Sequence, residues 1–523
     1  MNYADLFRVT LPETALEVAA LLVLIVDLGF LRKAALKARV AVAALLGVAG
    51  CGAALWAISL QTGFGLYVEE SLVLANGGGV AVAQVGVLVL TALTLLLLID
   101  SIFTKHVGEF VAVVLMAASG GLLVAAARDL LVIFVGLELL SLGLYILTAF
   151  AKSSGKSAEA ALKYYLFGGM SAAFLLFGFS YLYGLSGSTN LYWIQYSIGE
   201  SGTNPLLYVA WVLIVAGLGF KVAAVPFHLW APDTYEGAPA PAAAFIASVS
   251  KVASFALLLA IGGNLLLPGG PISGQKDVVE HYLRNEYLTW QPLGLILLIV
   301  SAASMIVGNL AALAQVSVRR LLAYSAIAHT GYILLGIATQ HAYPGQGSPF
   351  QFFLSTTGPS SLSANAVLYY ILTYGLTTIG SFGVVSVVER ATGSDKLDAF
   401  LGLHKRNPLL AAVLLVLFLS LAGIPPLVGF WAKFNLFAAV LGVSAGPIPF
   451  ALVSLAVAMS AVSLYYYLQV LKRAYVMPAA DESRIKAHPV TMAVLVLIAA
   501  AVVVLGCFPA LLQNWIASFY PAL

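Results

Sequence analysis

Charge is what this sequence has least of: Asp, Glu, Lys and Arg make up only 9% of its 523 residues, against roughly a quarter in ordinary soluble domains. Water is therefore not its main solvent. Cysteine is nearly absent too. Cys51 and Cys507 both sit in apolar runs with no CxxC or Cys/His spacing, which excludes an iron–sulfur or zinc site built from this chain's own thiols. There is no HExxH, no paired-histidine haem arrangement and no nucleophile elbow, and Gly77-Gly78-Gly79 lacks the lysine and Ser/Thr of a phosphate loop. No metal or cofactor site and no catalytic site is expected in the chain. Long polar stretches are missing as well, the longest being about 264–289, 341–362 and 389–407, too short to bury a core of their own. No soluble domain is expected.

What is there is apolar. Hydrophobic residues form 61% of the chain, in long runs at about 11–32, 38–60, 79–101, 107–126, 129–150, 163–186, 206–230, 239–265, 290–313, 320–340, 363–388, 408–441, 450–471 and 489–518. Since ~20 residues cross a bilayer core, these predict about fourteen transmembrane helices in an all-α polytopic membrane protein whose first partner is the lipid bilayer. Fourteen such runs with almost no amphipathic helices between them are incompatible with buried helices of a soluble protein.

The loops give the orientation. One side collects 18 of the 25 basic residues, among them Arg32, Lys37, Lys152, Lys156, Lys163, Arg319, Arg320, Lys405 and Lys472, while the other holds only Arg8, Arg128, Lys276 and Arg284. The positive-inside rule makes the first side cytoplasmic. The expectation is a multi-pass protein of the bacterial inner (plasma) membrane with both termini periplasmic. The first span lacks a basic n-region and a cleavage site, so it reads as a retained helix. The net charge of +3 follows from the basic loops and calls for no nucleic-acid partner.

Two blocks of helices resemble each other. Arg128-Asp129-Leu130-Leu131 leads to Glu138 ten residues after its arginine, and Arg319-Arg320-Leu321-Leu322 leads to His329 ten residues after its first. Tyr164-Tyr165 with Gly178 matches Tyr369-Tyr370 with Gly383 at one offset of 205, and each block then has a span interrupted by proline, at Val225-Pro226 and Ile424-Pro425-Pro426. Five helices per block is an odd number, so the copies must be inverted across the membrane, the arrangement that places broken helices near the midplane in ion-coupled transporters. The expected division is three N-terminal helices over 1–106, a first antiporter-like repeat over 107–265, a second over 290–477 and a last helix over 478–523.

Lys221, Lys251 and Lys433 fall inside spans rather than in loops. A charge at the bilayer centre costs about 2.5–3.5 kcal/mol on insertion scales, so each marks a functional site or a helix-to-helix tie. Glu138 shares a face with Ser141 and Tyr145. Lys221 stands five residues before Pro226, which removes a backbone hydrogen bond and can open the helix there. An amine close to a carboxylate can store or release a proton as either changes state. Lys251, between Ser248 and Ser254, reads as a relay between the halves. His329, with Ser325 one turn before and Tyr332 about one turn after, occupies the repeat position of Glu138 and can accept and donate, or can be a hydrogen-bonded core histidine. Lys433, seven residues past Pro426, lies beyond the second break on an exit side. His228 either extends the path or caps the broken helix. Lys163, at the start of its span, is either a positive-inside anchor or a member of the Glu138–Lys221 site. Asp129, Asp233 and Glu236 lie at helix ends where water can solvate them.

These residues resemble the antiporter-like membrane subunits of proton-pumping NADH:quinone oxidoreductase (respiratory complex I) over nearly the whole chain. The carriers are Gly136 through Leu142 with Glu138, the run Gly219-Phe220-Lys221-Val222-Ala223-Ala224-Val225-Pro226-Phe227-His228-Leu229-Trp230-Ala231-Pro232-Asp233, Ala323 through His329, and Gly423-Ile424-Pro425-Pro426 through Lys433. Within that family the N type is the nearest: M-type subunits usually have glutamate where this chain has Lys433, L-type subunits usually carry a long lateral helix beyond the fourteenth span, and Leu11-Pro12-Glu13-Thr14 resembles the N type. The resemblance implies a proton-loading pair at Glu138 and Lys221, a bridging Lys251 and a Lys433 facing the periplasmic exit. It also implies partners, the other membrane and peripheral subunits of complex I, with NADH, FMN, iron–sulfur clusters and quinone outside this chain. The same lysine and broken-helix motifs occur in multisubunit cation/proton antiporters, the alternative membership.

Overall fold

A computed structural model describes residues 7–62, 74–75, 78–101, 103–201, 204–265, 292–339, 359–443, 447–479 and 483–519. Gly77, Lys276, Arg284 and most of the connections read at 264–289 and 341–362 lie outside the described residues. The helices are α1 (Leu11–Ile25), α2 (Leu36–Thr62), α3 (Gly78–Leu98), α4 (Val107–Ala126), α5 (Leu130–Thr148), α6 (Gly155–Ser186), α7 (Leu191–Ser201), α8 (Pro205–Lys221), α9 (Trp230–Gly237) and α10 (Ala240–Leu265). Then follow α11 (Pro292–Leu313), α12 (Val318–Thr339), α13 (Pro359–Thr392), α14 (Leu403–Arg406), α15 (Pro408–Ala422), α16 (Val428–Val443), α17 (Pro447–Tyr475), α18 (Pro489–Cys507) and α19 (Pro509–Ser518).

Eleven of the described helices are long and apolar enough to cross a membrane. Three further crossings are made of shorter segments. The first, α1, continues through a π-helical turn at Val26–Phe30; α8 stops at Lys221 before a break, and α15 and α16 are two halves divided at Gly423 through Leu427. Together these make the fourteen expected. Seven helices begin on proline (α8, α11, α13, α15, α17, α18 and α19), a residue whose missing N–H is not needed in the first turn and whose fixed φ suits it. Side-chain caps start others: Asp129 accepts from the N–H of Leu131 and Val132, and Ser154 from Ser157.

The Ser154 cap corrects the sixth span. Its helix begins at Gly155, not near 163, so Lys163 sits about two turns inside the helix. Polar first turns had hidden this start from a hydropathy reading. The expected last span is likewise two helices, divided at Phe508 where Pro509 restarts the chain.

Neighbours in sequence pack as hairpins, α4 on α5 and α11 on α12. The middle of the bundle is α10, α12 and α13. The apolar windows of α10 and α12 are 94% buried inside the protein, against 22% for α17, which leaves the outer helices to face lipid. Their exposed residues are apolar, as on α6 with Leu162, Leu166, Met170, Phe174 and Phe177. The matched helices of the two blocks run in opposite directions: α12 starts among Arg319 and Arg320, at the end of the bundle that also holds Lys156 and Lys163, whereas α5 starts at the other end and finishes near Ser157. This is the inverted arrangement expected from the sequence. The two-tyrosine match is only partial in three dimensions, because Tyr369 and Tyr370 are both buried while Tyr165 is 54% exposed.

Candidate functional site: a line of buried charges between two broken helices

The first break follows from local chemistry. Helix α8 ends at Lys221; Ala223 takes a left-handed φ of 56° and the Val225–Pro226 bond is cis. The N–H of Val225 leaves the helix to bond Ser304 Oγ of α11 at 2.9 Å, and the Trp230 indole donates to Phe220 O at 2.9 Å. In the second break Gly423 has φ 87° and Pro425–Pro426 is cis. Position 423 suits glycine for a second reason: a Cβ there would lie 3.0 Å from Lys433 Cδ. The N–H of Gly429 bonds Ser420 Oγ at 3.1 Å across the gap.

Lys221, the last helical residue of α8, is buried and turns toward α5. Its ammonium donates to Ser141 Oγ at 2.5 Å and lies 3.7 Å from Glu138 Oε1. Spacing makes Ser141 only part of a polar stripe; the structure makes it the lysine's nearest partner. The Glu138 side chain is 27% exposed and stands on the face of α5 that also exposes Leu131, Val135, Leu142 and Ile146. The carboxylate is thus reached from inside by Lys221 and from outside at the surface of the bundle.

Lys251 sits in the middle of α10 and is 2% exposed. It donates to Val222 O at 2.7 Å, a carbonyl released by the first break, and to Thr330 Oγ1 of α12 at 2.9 Å. Thr330 itself donates to Val222 O at 2.7 Å or to Ala326 O at 2.9 Å. Ser248, placed beside Lys251 by spacing, instead bonds its own helix at Ala244 O. One residue before Thr330, His329 is buried with Nδ1 2.8 Å from Tyr370 Oη of α13 and its ring packed on Tyr374 at 4.8 Å. Ser325, expected near His329, pairs with Tyr467 of α17.

Lys433 in α16 turns back into the second break. It donates to Leu421 O at 3.1 Å, Ala422 O at 3.0 Å and Ser460 Oγ of α17 at 2.8 Å, and its ammonium lies 5.5 Å from the Tyr332 ring centroid. That ring packs edge-on against His329 at 5.7 Å. The five ionisable residues singled out by the sequence therefore fall in three groups along the bundle: Glu138 and Lys221 around Ser141, Lys251 on Val222 O and Thr330, and His329 and Lys433 on either side of the Tyr332 ring. Of their partners, spacing points to Ser141 and Tyr332 and the repeat match to Tyr370, whereas Thr330 and Ser460 carry no sequence signal.

The remaining sequence-predicted groups separate from these three. Lys163 is bound at 2.8 Å to both Glu159 and Asp233, and Asp233 also holds Arg320 at 2.6 Å. Glu236 pairs with Arg320 at 3.1 Å and Lys156 at 3.2 Å. The expectation that water alone serves Asp233 and Glu236 is corrected: they form a charge cluster joining α6, α9 and α12. Asp129 is similarly occupied, capping α5 and accepting from Thr189. His228, in the first break, has an Nδ1 without a hydrogen-bond partner among the described residues. No group of metal-ligating side chains occurs among the described residues.

A bundle with inverted halves, two breaks and lysines at the breaks defines an antiporter-like membrane protein. The chain belongs to the transmembrane family described as "NADH:quinone oxidoreductase/Mrp antiporter, TM", whose model matches residues 127–265 and 286–460. It is similar to NADH-quinone oxidoreductase subunit N 2 of Acidobacterium capsulatum, 46% identical over 99% of both chains. In solved structures it is similar to a chain of respiratory complex I from Thermus thermophilus with bound aureothin, 32% identical over 96% of this chain and 98% of that one, with a TM-score of 0.74. A chain of the Mrp complex from Dietzia sp. covers 97% of each at a TM-score of 0.74 but only 19% identity, a likeness of fold alone.

Proposed function

We propose that this chain is the N-type proton-translocating membrane subunit of an NADH:quinone oxidoreductase, and that it moves protons across the membrane while other subunits supply the redox energy. The observation that carries the reading is the succession of buried groups, Glu138 with Lys221, Lys251 with Thr330, His329 and Lys433, around two broken helices inside an apolar bundle. The chain is a multi-pass membrane subunit of an oxidoreductase complex. As a translocase subunit it needs no redox centre of its own, and NADH, FMN, iron–sulfur clusters and quinone belong to partner subunits of the assembled complex.

The basic end of the bundle, with Lys156, Lys163 and Arg320, faces the cytoplasm, and both termini face the periplasm. Glu138 and Lys221 load the proton, Lys251 and His329 pass it between the repeats over 107–265 and 290–477, and Lys433 releases it. An ammonium bound only to carbonyls and hydroxyls has no fixed counter-ion, so giving up its proton leaves its partners intact as acceptors for the next one. Glu138 differs because it carries the opposite charge: when Lys221 is protonated the pair is neutral, and a second proton on Glu138 frees the lysine to pass its own inward. Lys163 and the charge cluster around it hold α6 and α9 against α12, and His228 lines the opening of the first break.

Exchange of Lys221 for methionine tests the reading. The complex assembles and redox-driven acidification of inside-out vesicles falls strongly; undiminished pumping by an assembled complex would overturn it. Membership of a cation/proton antiporter is the second reading, favoured by the shared fold of the Mrp complex chain. Copurification decides between them: flavin and iron–sulfur subunits support the first, and small membrane subunits without a redox centre support the second.

A further inference from the structure

At the basic end of the bundle a pocket lies between the end of α3, the first turns of α10 and α18 and the last turns of α13. It is lined by Asp100, Ala244, Phe382, Ser386, Arg390 and Thr491 among others. The Arg390–Asp100 ion pair stands at its mouth, tied down by Arg390 donating to Lys486 O at 2.8 Å and the N–H of His488 donating to Asp100 at 3.0 Å. Ser386 meets Ser101 across the mouth at 3.3 Å. Thr491, 2% exposed on the pocket's wall, has an Oγ1 with no hydrogen-bond partner among the described residues.

From this pocket one ridge of α13 runs inward in four-residue steps, Ser386, Phe382, Thr378 and Tyr374, as the i±4 rows of a helix do. Tyr374 packs on His329, and Phe382 packs edge-on against Tyr235 of α9 at 5.7 Å. Tyr235 Oη, buried, also lacks a partner among the described residues, and buried Thr378 Oγ1 has no hydrogen bond of good geometry there although the Tyr374 hydroxyl lies beside it. Neighbouring hydroxyls on α13 do not share this state, since Thr373, Thr377 and Ser381 each bond a carbonyl one turn back. A buried hydroxyl left unpaired costs about 1–3 kcal/mol, and internal water is the usual remedy. A second pocket at the inner end of the ridge is lined by His329, Tyr370, Thr373, Tyr374 and Ser420. From Ser386 to Tyr374 is ~18 Å at 1.5 Å per residue.

We propose that this ridge is a second, hydrated proton inlet, opening at the Asp100–Arg390 mouth and delivering protons to His329 without passing Glu138 or Lys221. Water between Ser386, Thr491, Thr378 and Tyr235 relays the proton, each oxygen accepting one and releasing another so that no net charge stays on the path. Phe382 is the one apolar side chain of the ridge and closes it between the two pockets. The inlet rests on the orientation and pumping role proposed above; it reloads His329, while transfer from His329 to Lys433 still requires the proton on Lys221 and Lys251 behind it.

The test uses the assembled complex in inside-out membrane vesicles, with Cys51 and Cys507 replaced. Ser386→Cys should react with a membrane-impermeant maleimide added outside, the former cytoplasmic side, while Val384→Cys, buried two residues away, should not. Equal inertness of the two would overturn the inlet. Thr378→Val should slow redox-driven pumping several-fold and Thr378→Ser should restore it; pumping at the parental rate in Thr378→Val would overturn it as well. Labelling reports hydration whether or not the chain pumps. If Lys433→Met also pumps normally while Ser386→Cys labels, the pumping role fails and the wet inlet stands.

Discussion

In the first broken helix the lysine precedes the break and turns away from it, toward Ser141 and Glu138; in the second the lysine follows the break and reaches back into it. The carbonyls set free by the two breaks are therefore served differently. Val222 O is met from outside by Lys251 and Thr330, residues of α10 and α12. Leu421 O and Ala422 O are met by Lys433 from the other half of the same broken helix. Relieved of serving its own break, Lys221 is free to sit beside a carboxylate, and the halves of an inverted repeat come to differ in chemistry while sharing a backbone.

The largest expected effect tests whether the halves work in series. Lys221→Met and Lys433→Met each lower redox-driven pumping by about tenfold or more, because a thioether holds no proton; fluorescence quenching in inside-out vesicles measures it. Normal pumping in either one alone would remove that lysine from the proton path and overturn the role proposed for it. Stability separates the pair next. Lys433→Met strips two buried carbonyls of a donor, about 1–3 kcal/mol each, whereas Lys221→Met leaves a serine and a partly exposed carboxylate. Thermal denaturation of the purified complex should therefore fall further for Lys433→Met, and equal losses would contradict the difference described between the breaks.

The two break residues at positive φ give a finer comparison. Gly423→Ala puts a Cβ into a left-handed conformation, about 1–2 kcal/mol, and against Lys433; it should reduce both stability and pumping. Ala223→Gly, where alanine already bears that conformation, should leave pumping unchanged, and a loss as large as that of Gly423→Ala would mean that the Ala223 methyl positions the first break. The smallest effect falls on the link between halves. Thr330→Val removes one acceptor from Lys251 but leaves it Val222 O, so pumping should drop only about two- to threefold, roughly 0.5 kcal/mol, with Thr330→Ser at the parental rate.

Much of this was legible in the sequence. Fourteen apolar runs announce the crossings because lipid demands them, Pro226 and Pro426 announce the breaks because they lack an N–H, and the ionisable residues announce themselves by depth. Not all of their partners were. Thr330 and Ser460 are found only once it is known which face of α12 and α17 meets which lysine, and hydropathy is nearly uniform around these helices. The same holds for Asp233, whose cations come from 70 and 87 residues away, so that a carboxylate at a helix end looked like one for water to solvate. The true start of α6 was hidden because its first two turns are polar and leave the hydrocarbon.

Lys251 grips a backbone carbonyl of one repeat and a hydroxyl of the other with the same three protons. Its state of protonation and the spacing of the two repeats are consequently a single thermodynamic variable. Anything that draws Val222 away from Thr330 alters how tightly Lys251 keeps its proton, and by reciprocity the arrival or departure of that proton pushes on the spacing with the same free energy. Force applied elsewhere in an assembly can thus reach this ammonium as a change in acidity, with no electron passing through the chain.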